Sequence, residues 1–355
     1  MSTEALSRPD VSQSIATTQP AADPLPAPEL SQRAGWPYAR DPSGWFQVGW
    51  SSEVGAGDVI PVQAFGADLV LCRGNEGEVR AFDAFCPHLG AHLGHGGVVQ
   101  DGNVICPFHG WEWGPEGENV RIPYSTKVMP NLRLRSWPVR EIDGLIVVWH
   151  DADGGQPTWE PEPISTFVAS FDPRDYHPLF PGGVHLWPSV RAQPQFVVEN
   201  IVDSAHFRYV HAAAHGSVII GYNANGHVFS CSQRFEGRRP ATLDMWARGV
   251  GLMLGVFSVD GAITHVEVQA TTPLAGQRST LRGSVWVRSD PGQPGVMTPK
   301  MAATVQLQHD QLGNDIPIWE HMRYRAHAPL VPEESTAYRA LRKWAAQFYP
   351  AEPNP

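Results

Sequence analysis

The amino-acid sequence predicts an α+β protein with an all-β first half and a second half that combines a sheet with helices. Short runs of β-branched and aromatic residues, separated by Gly-rich turns, occupy residues 45–150. After residue 151, runs with strand-type alternation occur together with runs of helical periodicity. The chain has 355 residues, which is longer than one average domain, so two domains are predicted.

The composition divides the chain into three parts. Residues 1–34 are rich in Ser, Thr, Ala and Pro and show hardly any apolar periodicity, which predicts a flexible tail. One domain is predicted over residues 35–150 and a second over residues 151–355, with the boundary at the Gly- and Pro-containing segment 151–157. The 33 Pro and 34 Gly favour sheets joined by loops over a helical bundle.

Local patterns predict the individual elements. Strands of a small barrel are predicted at residues 45–50, 59–62, 69–72, 79–82, 132–139 and 145–150. In the second half, strands are predicted at 262–268 and 284–287, with a buried strand or strand pair within 249–259. Helices are predicted around 195–211 and over 333–349. The second of these helices has one apolar face, formed by Ala337, Leu341, Trp344, Ala345 and Phe348.

Charge and cysteine content limit the possible functions. A net charge of −10 argues against nucleic acid or an anionic membrane as the main partner. The N-terminus lacks the pattern of a secretory signal, and no apolar run approaches the ~20 residues that a membrane-spanning helix needs. Two of the four cysteines, Cys72 and Cys231, do not resemble disulfide partners. Because so few thiols suit a reducing compartment, a cytoplasmic location is predicted.

Two short motifs each pair one cysteine with one histidine: Cys86 with His88, and Cys106 with His109. This is the ligand set of a Rieske 2Fe-2S cluster, in which two thiolates bind one iron and two imidazoles bind the other. Neutral imidazole ligands raise the reduction potential, so the cluster can accept electrons from an ordinary ferredoxin. A tetrahedral zinc site is the alternative, although structural zinc motifs usually pair like residues with like.

A second group of metal-binding side chains lies within residues 200–211. Two histidines, His206 and His211, together with one later carboxylate would form a facial triad, which leaves open positions on a non-haem Fe(II) for dioxygen. In an ideal helix these histidines project about 140° apart, so a π-bulge or a helix end is expected between them. Asp203 lies one turn before His206 and is predicted to hydrogen-bond its imidazole. A surface helix with two unrelated histidines is the alternative.

Three acidic residues, Asp310, Asp315 and Glu320, are candidates for the third ligand of this site. Spacing alone does not choose among them. Asp315 is predicted to open a helix, with Pro317 in its first turn, and a helix start would give the carboxylate a fixed direction.

Glycines in the second half resemble a dinucleotide-binding motif only superficially. Gly249, Gly251 and Gly255 have the spacing G-x-G-x-x-x-G and lie between strand-like segments. Glycine in a curved strand is the simpler interpretation. NAD(P)H and flavin are therefore predicted to belong to a separate protein.

Several stretches carry a resemblance to a known family. They are Cys106-Pro107-Phe108-His109 with Trp111-Glu112-Trp113-Gly114, Arg121-Ile122-Pro123-Tyr124, Asp315 with Ile318-Trp319-Glu320, and Arg342 with Trp344 and Gln347-Phe348-Tyr349. On these motifs, residues 35–350 resemble the Rieske non-haem iron oxygenases. Within that family the chain is most similar to the oxygenase component of 3-ketosteroid 9α-hydroxylase and to the cholesterol 7-desaturases.

The resemblance implies an N-terminal Rieske domain, a C-terminal helix-grip catalytic domain and roles for particular residues. The implied cluster ligands are Cys86, His88, Cys106 and His109, and the implied iron ligands are His206, His211 and Asp315. Asn200 and Asp203 are expected to assist catalysis. In the family, the aspartate that corresponds to Asp203 links the cluster histidine of one subunit to the iron histidine of its neighbour. The resemblance therefore implies a head-to-tail homotrimer.

These expectations predict the terminal oxygenase of a Rieske monooxygenase system. A separate ferredoxin or flavin-containing NAD(P)H reductase would supply electrons, and O2 would supply one oxygen atom to a C–H bond of a hydrophobic polycyclic substrate, such as a steroid. Desaturation or oxidative demethylation of a similar substrate is the alternative within enzymes. An electron carrier of ferredoxin type, with residues 151–355 as a docking module, is the alternative outside them.

Overall fold

The computed structural model describes residues 36–213, 216–290, 292–293 and 295–350. The predicted tail, residues 1–34, therefore lies outside the described residues. The described chain has an all-β first part followed by a large antiparallel sheet with helices, so the predicted α+β fold is confirmed. None of the helices within the described ranges is both long enough and apolar enough to cross a membrane.

Three small antiparallel sheets form the first part. Its strands are β1 (Gly44–Trp50), β2 (Val59–Ala64), β3 (Ala67–Arg73), β4 (Val79–Asp83), β5 (Val98–Gln100), β6 (Asn103–Ile105), β7 (Glu112–Trp113), β8 (Asn119–Arg121), β9 (Ser136–Trp137), β10 (Val139–Ile142) and β11 (Leu145–His150). β1, β11 and β10 form one sheet, β2, β3, β4 and β9 a second, and β5 to β8 a third. The predicted runs all contain strands, although the run at 132–139 becomes extended only at residue 136.

The two Cys-His motifs lie on loops at one end of these small sheets. The loop of Cys86 follows β4, and the loop of Cys106 joins β6 to β7. Phe82, Leu93 and Trp113 are fully buried behind the loops and belong to one apolar cluster with both cysteines. The loops therefore rest on a packed base.

One seven-stranded antiparallel sheet and a few helices form the second part. Its strands are β12 (Val184–Val190), β13 (Val218–Asn225), β14 (Val228–Phe235), β15 (Ala241–Arg248), β16 (Leu252–Val259), β17 (Ala262–Pro273) and β18 (Ser279–Val287). Its helices are α1 (Ile164–Phe167), α2 (Pro194–Glu199), α3 (His206–Tyr209), α4 (Pro299–His321) and α5 (Pro332–Ala345). The strand order is β12-β18-β17-β16-β15-β14-β13.

The two faces of the large sheet have different roles. One face packs against β1 and β11 of the first part. Its core contains Leu252, Leu254, Val256, Val266, Val268, Trp45, Val147 and Trp149. The intervening residues of β16 and β17 point to the opposite face, because side chains alternate along a strand. Burying one large apolar side chain contributes roughly 1.5–3 kcal/mol, so this shared core joins the two parts firmly.

The C-terminal helix holds the segment that precedes the predicted iron site. The predicted helix at 333–349 is observed as α5 followed by a 3-10 turn, Ala346–Phe348, and its predicted apolar face is buried. The Arg342 guanidinium donates two hydrogen bonds to the Glu199 carboxylate, at 2.8 and 2.9 Å. Glu199 is the last residue of α2, so this buried ion pair anchors α2 against α5.

Candidate metal centres

The two Cys-His loops have the same backbone hydrogen bonds. The Cys86 N–H donates to the Ala91 carbonyl, and the Gly90 N–H donates back to the Cys86 carbonyl. In the second loop the Cys106 N–H donates to the Trp111 carbonyl, and the Gly110 N–H donates to the Cys106 carbonyl. Gly90 and Gly110 have φ values of 75° and 69°, a conformation that favours glycine. The chain thus presents two equivalent loops that face each other.

The ligand side chains of the two loops meet at their tips. Both cysteines are buried, and the imidazole rings of His88 and His109 have centroids 4.9 Å apart. His88 stacks on Trp111 at 4.2 Å. The His109 Nδ1 atom is buried without a hydrogen-bond partner among the described residues. A buried nitrogen atom without a partner lowers the stability of the fold unless it binds a water molecule or a metal ion. A bound iron would provide that partner for His109 Nδ1.

The buried Cys86 thiol loses its proton only when it binds a metal ion. Burial raises the pKa of the Cys86 thiol to about 11, so the metal-free thiol stays protonated at neutral pH. Coordination to a metal ion deprotonates a thiol outright. Two thiolates and two imidazoles are the donor set that a Rieske 2Fe-2S cluster takes.

The end of a short helix lies between the two predicted iron histidines. The predicted helix around 195–211 is observed as α2, a 3-10 turn at Asn200–Val202, a non-helical residue at Asp203 and then α3. His206 is the first residue of α3, and His211 lies beyond its end. The expected helix end is therefore present, and it allows the two imidazoles to approach, with ring centroids 5.0 Å apart.

Asp203 contacts His206 in a different way from the predicted one. The His206 Nδ1–H donates to the backbone carbonyl of Asp203 in a short hydrogen bond. The Asp203 carboxylate instead accepts from the backbone N–H of His206 at 3.1 Å, and it lies 4.0 Å from Nδ1. The backbone carbonyl therefore fixes the tautomer, because a carbonyl offered at an Nδ1 position requires the proton there. This leaves His206 Nε2 available to a metal.

The prediction that Asp315 opens a helix is wrong. Asp315 lies deep within α4, a helix of 23 residues, and Pro317 lies inside the helix as well. The helix instead begins after Thr298, whose hydroxyl accepts from the Met301 N–H at 3.4 Å. Its buried residues recur at helical spacing and continue through the predicted boundary; they are Met301, Val305, His309, Leu312, Asp315 and Trp319. Packing of this face offsets the cost of Pro317.

Asp315 meets the two histidines, whereas the other acidic candidates do not. The ligand atoms of His206, His211 and Asp315 all lie within 4.8 Å of one another, and His211 Nε2 is 3.5 Å from an Asp315 carboxylate oxygen. Asp310 accepts a hydrogen bond from Gln306 on the exposed side of α4. Glu320 contacts Arg191.

The three converging residues fit a mononuclear iron. Two imidazoles and one carboxylate on one side of a site form the facial triad of non-haem iron proteins. Burial lowers the pKa of His206, which favours the neutral imidazole that a metal needs. The His211 Nδ1 atom is buried without a partner among the described residues. The spacing of residues left three acidic candidates open, the resemblance implied Asp315, and the fold brings Asp315 to the two histidines.

A cavity of about 320 Å³ opens beside the three residues. Its floor is the face of the large sheet that turns away from the first part, and α4 and the His206 segment form its walls. Most of its lining is apolar and includes Phe207, Phe235, Leu243, Met245, Met253 and Phe257. From β16, alternate residues line the cavity: Met253, Gly255 and Phe257. A cavity of this size fits a small hydrophobic molecule.

Three polar residues of the cavity floor were not predicted as site residues. His265, Glu267 and Gln269 occupy alternate positions of β17 and line the cavity. Alternation in this run indicated a half-buried strand, whose polar face is usually solvated. The sequence holds no signal that separates this polar face from a solvated one, because alternation does not show what covers each face of a strand. Asn200, which was predicted, also lines the cavity.

Comparison with protein families agrees with these centres. Residues 44–138 match the family described as "Rieske [2Fe-2S] domain". Residues 148–349 match the family described as "3-Ketosteroid 9alpha-hydroxylase C-terminal domain", which is more than half of the chain.

Individual relatives and solved structures are also similar. A protein of Rhodococcus rhodochrous named probable 3-ketosteroid-9-alpha-monooxygenase, oxygenase component, is 30% identical over 89% of this chain and 82% of its own length. Cholesterol 7-desaturase nvd of Hemicentrotus pulcherrimus is 29% identical over 87% of this chain and 70% of its own length. The crystal structure of dicamba monooxygenase bound to 3,6-dichlorosalicylic acid has a TM-score of 0.65 at 20% identity, covering 86% of this chain and 97% of that one. This last similarity concerns the fold.

Proposed function

Because the chain belongs to the Rieske non-haem iron oxygenases of the 3-ketosteroid 9α-hydroxylase type, we propose that it hydroxylates a hydrophobic polycyclic substrate of the steroid class. It is an oxidoreductase and the terminal oxygenase of its system, with a Rieske 2Fe-2S cluster and a mononuclear non-haem iron as cofactors. The family implies a separate reductase as electron donor and O2 as oxidant. The observation that carries the proposal is the apolar cavity beside His206, His211 and Asp315.

The proposed cofactor ligands follow from the two geometries. Cys86, Cys106, His88 and His109 would hold the cluster, and His206, His211 and Asp315 would hold the iron. When bound, the cluster supplies single electrons and the iron supplies the activation of O2. The division into a cluster domain, residues 35–150, and an iron domain, residues 151–355, is part of this proposal. So is a cytoplasmic location.

The side chains of the cavity bind the substrate and exclude water. Apolar residues such as Phe207 and Met253 remove hydrocarbon surface from solvent, which contributes roughly 25 cal/mol per Å² buried. Asn200 places an amide in the same wall, where it can orient a polar atom of the substrate. A dry cavity also limits side reactions with bulk water. The binding step therefore positions one C–H bond next to the three ligand residues.

We further propose that the chain assembles as a head-to-tail homotrimer in which Asp203 links two centres. Leu89 and Phe108, at the tips of the two cluster loops, are 66% and 61% exposed, which is unusual for large apolar side chains. Tyr209, three residues after His206, is 80% exposed. The Asp203 carboxylate is 28% exposed. Contact between these two surfaces in neighbouring subunits would bury both and leave Asp203 between the centres.

Turnover with an electron donor tests the function. We expect the metallated protein, given a 3-ketosteroid, O2, NADH and a flavin reductase with ferredoxin, to form a product that has gained one oxygen atom. Loss of two hydrogens would favour desaturation, which the similarity to cholesterol 7-desaturase makes the second candidate. Iron content separates the enzyme from an electron carrier: we expect two atoms from the cluster and one from the mononuclear site per chain. Two atoms alone would contradict the proposal.

Subunit mixing tests the trimer. A Cys106→Ala chain lacks a cluster, and an Asp315→Ala chain lacks the iron, so each alone is expected to be inactive. Co-expressed with different affinity tags and purified through both, they should regain activity, because the cluster of one chain would serve the iron of the other. Light scattering should give the mass of three chains. A monomeric mass, or no recovered activity in verified mixed assemblies, would contradict the head-to-tail arrangement.

A further inference from the structure

One carboxyl group of the cavity has no part in either metal centre. Glu267 lies on β17 with its side chain toward the cavity, and it does not belong to the group formed by His206, His211 and Asp315. The side chain is partly accessible, but only the enclosed cavity gives it that access, since the group is otherwise surrounded by protein. Placing a carboxyl group there is costly unless a partner compensates.

The chain itself satisfies Glu267 poorly. The one hydrogen bond that its carboxyl makes to described residues comes from the Gln269 amide, at 3.4 Å, which is long for such a bond. The buried Glu199 carboxylate, by contrast, accepts two hydrogen bonds from Arg342, at 2.8 and 2.9 Å. Hydrogen-bonding capacity at Glu267 therefore remains open toward the cavity.

The strand next to Glu267 leaves room for its carboxyl group. Gly255 of β16 is the direct partner of Glu267 in the antiparallel pair. A Cβ atom at Gly255 would lie 3.0 Å from Glu267 Oε1 and 3.1 Å from its Cγ, closer than ordinary contact. The flanking cavity residues of β16, Met253 and Phe257, have large side chains. The absence of a side chain at Gly255 thus forms a notch in which the Glu267 side chain lies.

The polar and apolar residues of the cavity floor lie on different strands. On β15 the cavity residues Leu243 and Met245 are apolar, whereas β17 contributes His265, Glu267 and Gln269. Burial raises the pKa of Glu267 to about 7, against the smaller lowering effects of the Gln269 amide and of His211. A protonated carboxyl group donates one hydrogen bond and accepts others, and it can therefore pair with a keto oxygen or with a hydroxyl group.

We propose that Glu267, seated against Gly255 and adjoined by Gln269, binds one oxygen substituent of an otherwise apolar substrate and thereby determines its orientation in the cavity. This inference rests on the proposed function, which makes the substrate a steroid. It adds a specificity-determining contact: one keto or hydroxyl oxygen of the ring system is held on β17. The apolar remainder of the substrate lies over β15 and β16.

Removal of single oxygens from the ligand provides the test. The dissociation constants of androst-4-ene-3,17-dione, androst-4-en-3-one and androst-4-en-17-one are measured by equilibrium dialysis with metallated wild type and with Glu267→Leu. We expect Glu267→Leu to weaken the dione and one monoketone roughly tenfold, the value of one buried hydrogen bond, and to leave the other monoketone unchanged. Glu267→Gln should stay within about threefold of wild type, because an amide both donates and accepts.

A second variant and a control keep the result interpretable. Gly255→Ala should cause the same selective loss, because the new methyl group displaces the carboxyl group while Glu267 remains present. Glu76→Leu makes the matched change in an exposed turn and should affect none of the ligands. Iron content and the cluster spectrum report whether each variant is folded and loaded.

The outcomes separate the inference from the function on which it rests. Equal weakening of all three ligands by Glu267→Leu, or no weakening of any, would overturn the role of Glu267 while leaving the steroid assignment intact. Wild type that binds none of the three would overturn both the steroid assignment and this inference.

Discussion

The two metal centres of this chain are built in different ways. Each half of the cluster site is one short loop that carries its own two ligands and closes on its own backbone hydrogen bonds, as from Gly90 to Cys86. The proposed iron site instead combines His206, which begins α3, and His211, which follows its end, with Asp315 from the interior of α4. The first centre is therefore organised locally, and the second exists only when distant elements pack together.

This difference determines what each centre contributes to the fold. The proposed cluster ligands lie on two loops that face each other, and the buried cysteines belong to the apolar cluster beneath them. The proposed iron ligands lie on or beside elements that other contacts already fix, such as the ion pair of Arg342 with Glu199 and the buried face of α4. Loss of a cluster ligand should disturb structure and activity together, and loss of an iron ligand should remove activity alone.

The largest expected effects come from replacing one ligand at each centre. Cys106→Ala should abolish the visible absorbance of the cluster and lower the thermal midpoint. His206→Ala should keep the absorbance and the midpoint but lose one iron per chain. Turnover should fall by more than about a hundredfold in both, since even outer partners of a metal ligand are worth 10–100-fold. Metal analysis, absorbance and calorimetry on the same samples make the comparison.

Exposed histidines provide matched controls for these two variants. His95 lies near the cluster loops and His321 ends α4, and both are exposed. His95→Ala and His321→Ala should retain all iron and nearly full turnover. An unchanged cluster spectrum in Cys106→Ala, or normal turnover in His206→Ala, would contradict the assignment of the ligands.

Acid should destabilise the helix of the iron site through His309. This residue is 6% exposed on α4, and burial, with a smaller effect of His185, lowers its pKa to about 4, against the opposing effect of Asp310. Between pH 6.5 and 4 the unfolded chain binds a proton that the folded chain does not, so the free energy of unfolding falls as pH falls. We expect His309→Met to reduce this loss by about 2 kcal/mol at pH 5.

Denaturant unfolding followed by tryptophan fluorescence at pH 7 and pH 5 measures this effect. His321→Met, at an exposed position of the same helix, should retain the pH dependence of wild type. Identical pH dependence in His309→Met and wild type would show that His309 does not titrate differently on folding.

Two glycine substitutions should give the smallest effects, and they should change the free energy of unfolding in opposite directions. Gly110 in the cluster loop has φ +69°, and a Cβ atom there would lie 3.1 Å from Pro123, so Gly110→Ala should cost about 1–2 kcal/mol. Gly313 lies in α4, where an added Cβ would meet nothing within 4 Å. Gly313→Ala should stabilise the protein by about 0.5–1 kcal/mol. Equilibrium unfolding at one pH measures both, and equal signs would contradict the contrast.

The sequence predicted the local centre better than the distributed one for a physical reason. Cys86 and His88 are two positions apart, so spacing alone specifies their approach. Asp315 meets His211 only because α4 continues past Gly313 and Pro317, and the packing that allows this depends on residues far away in sequence. For the same reason the polar face of β17 was not predicted as part of the site: alternation indicates two faces of a strand, but only the fold shows that the polar face borders a cavity.

The large sheet has the core between the two parts of the molecule on one face and the cavity on the other, which limits how the cavity can change during evolution. Leu254 and Val266 pack in that core, and their neighbours in sequence, Gly255 and Glu267, line the cavity. An insertion or deletion of one residue within β16 or β17 would exchange these two sets of side chains and destroy both surfaces at once. New substrate preferences in relatives of this chain should therefore arise through replacements at every second position of these strands, with strand length preserved.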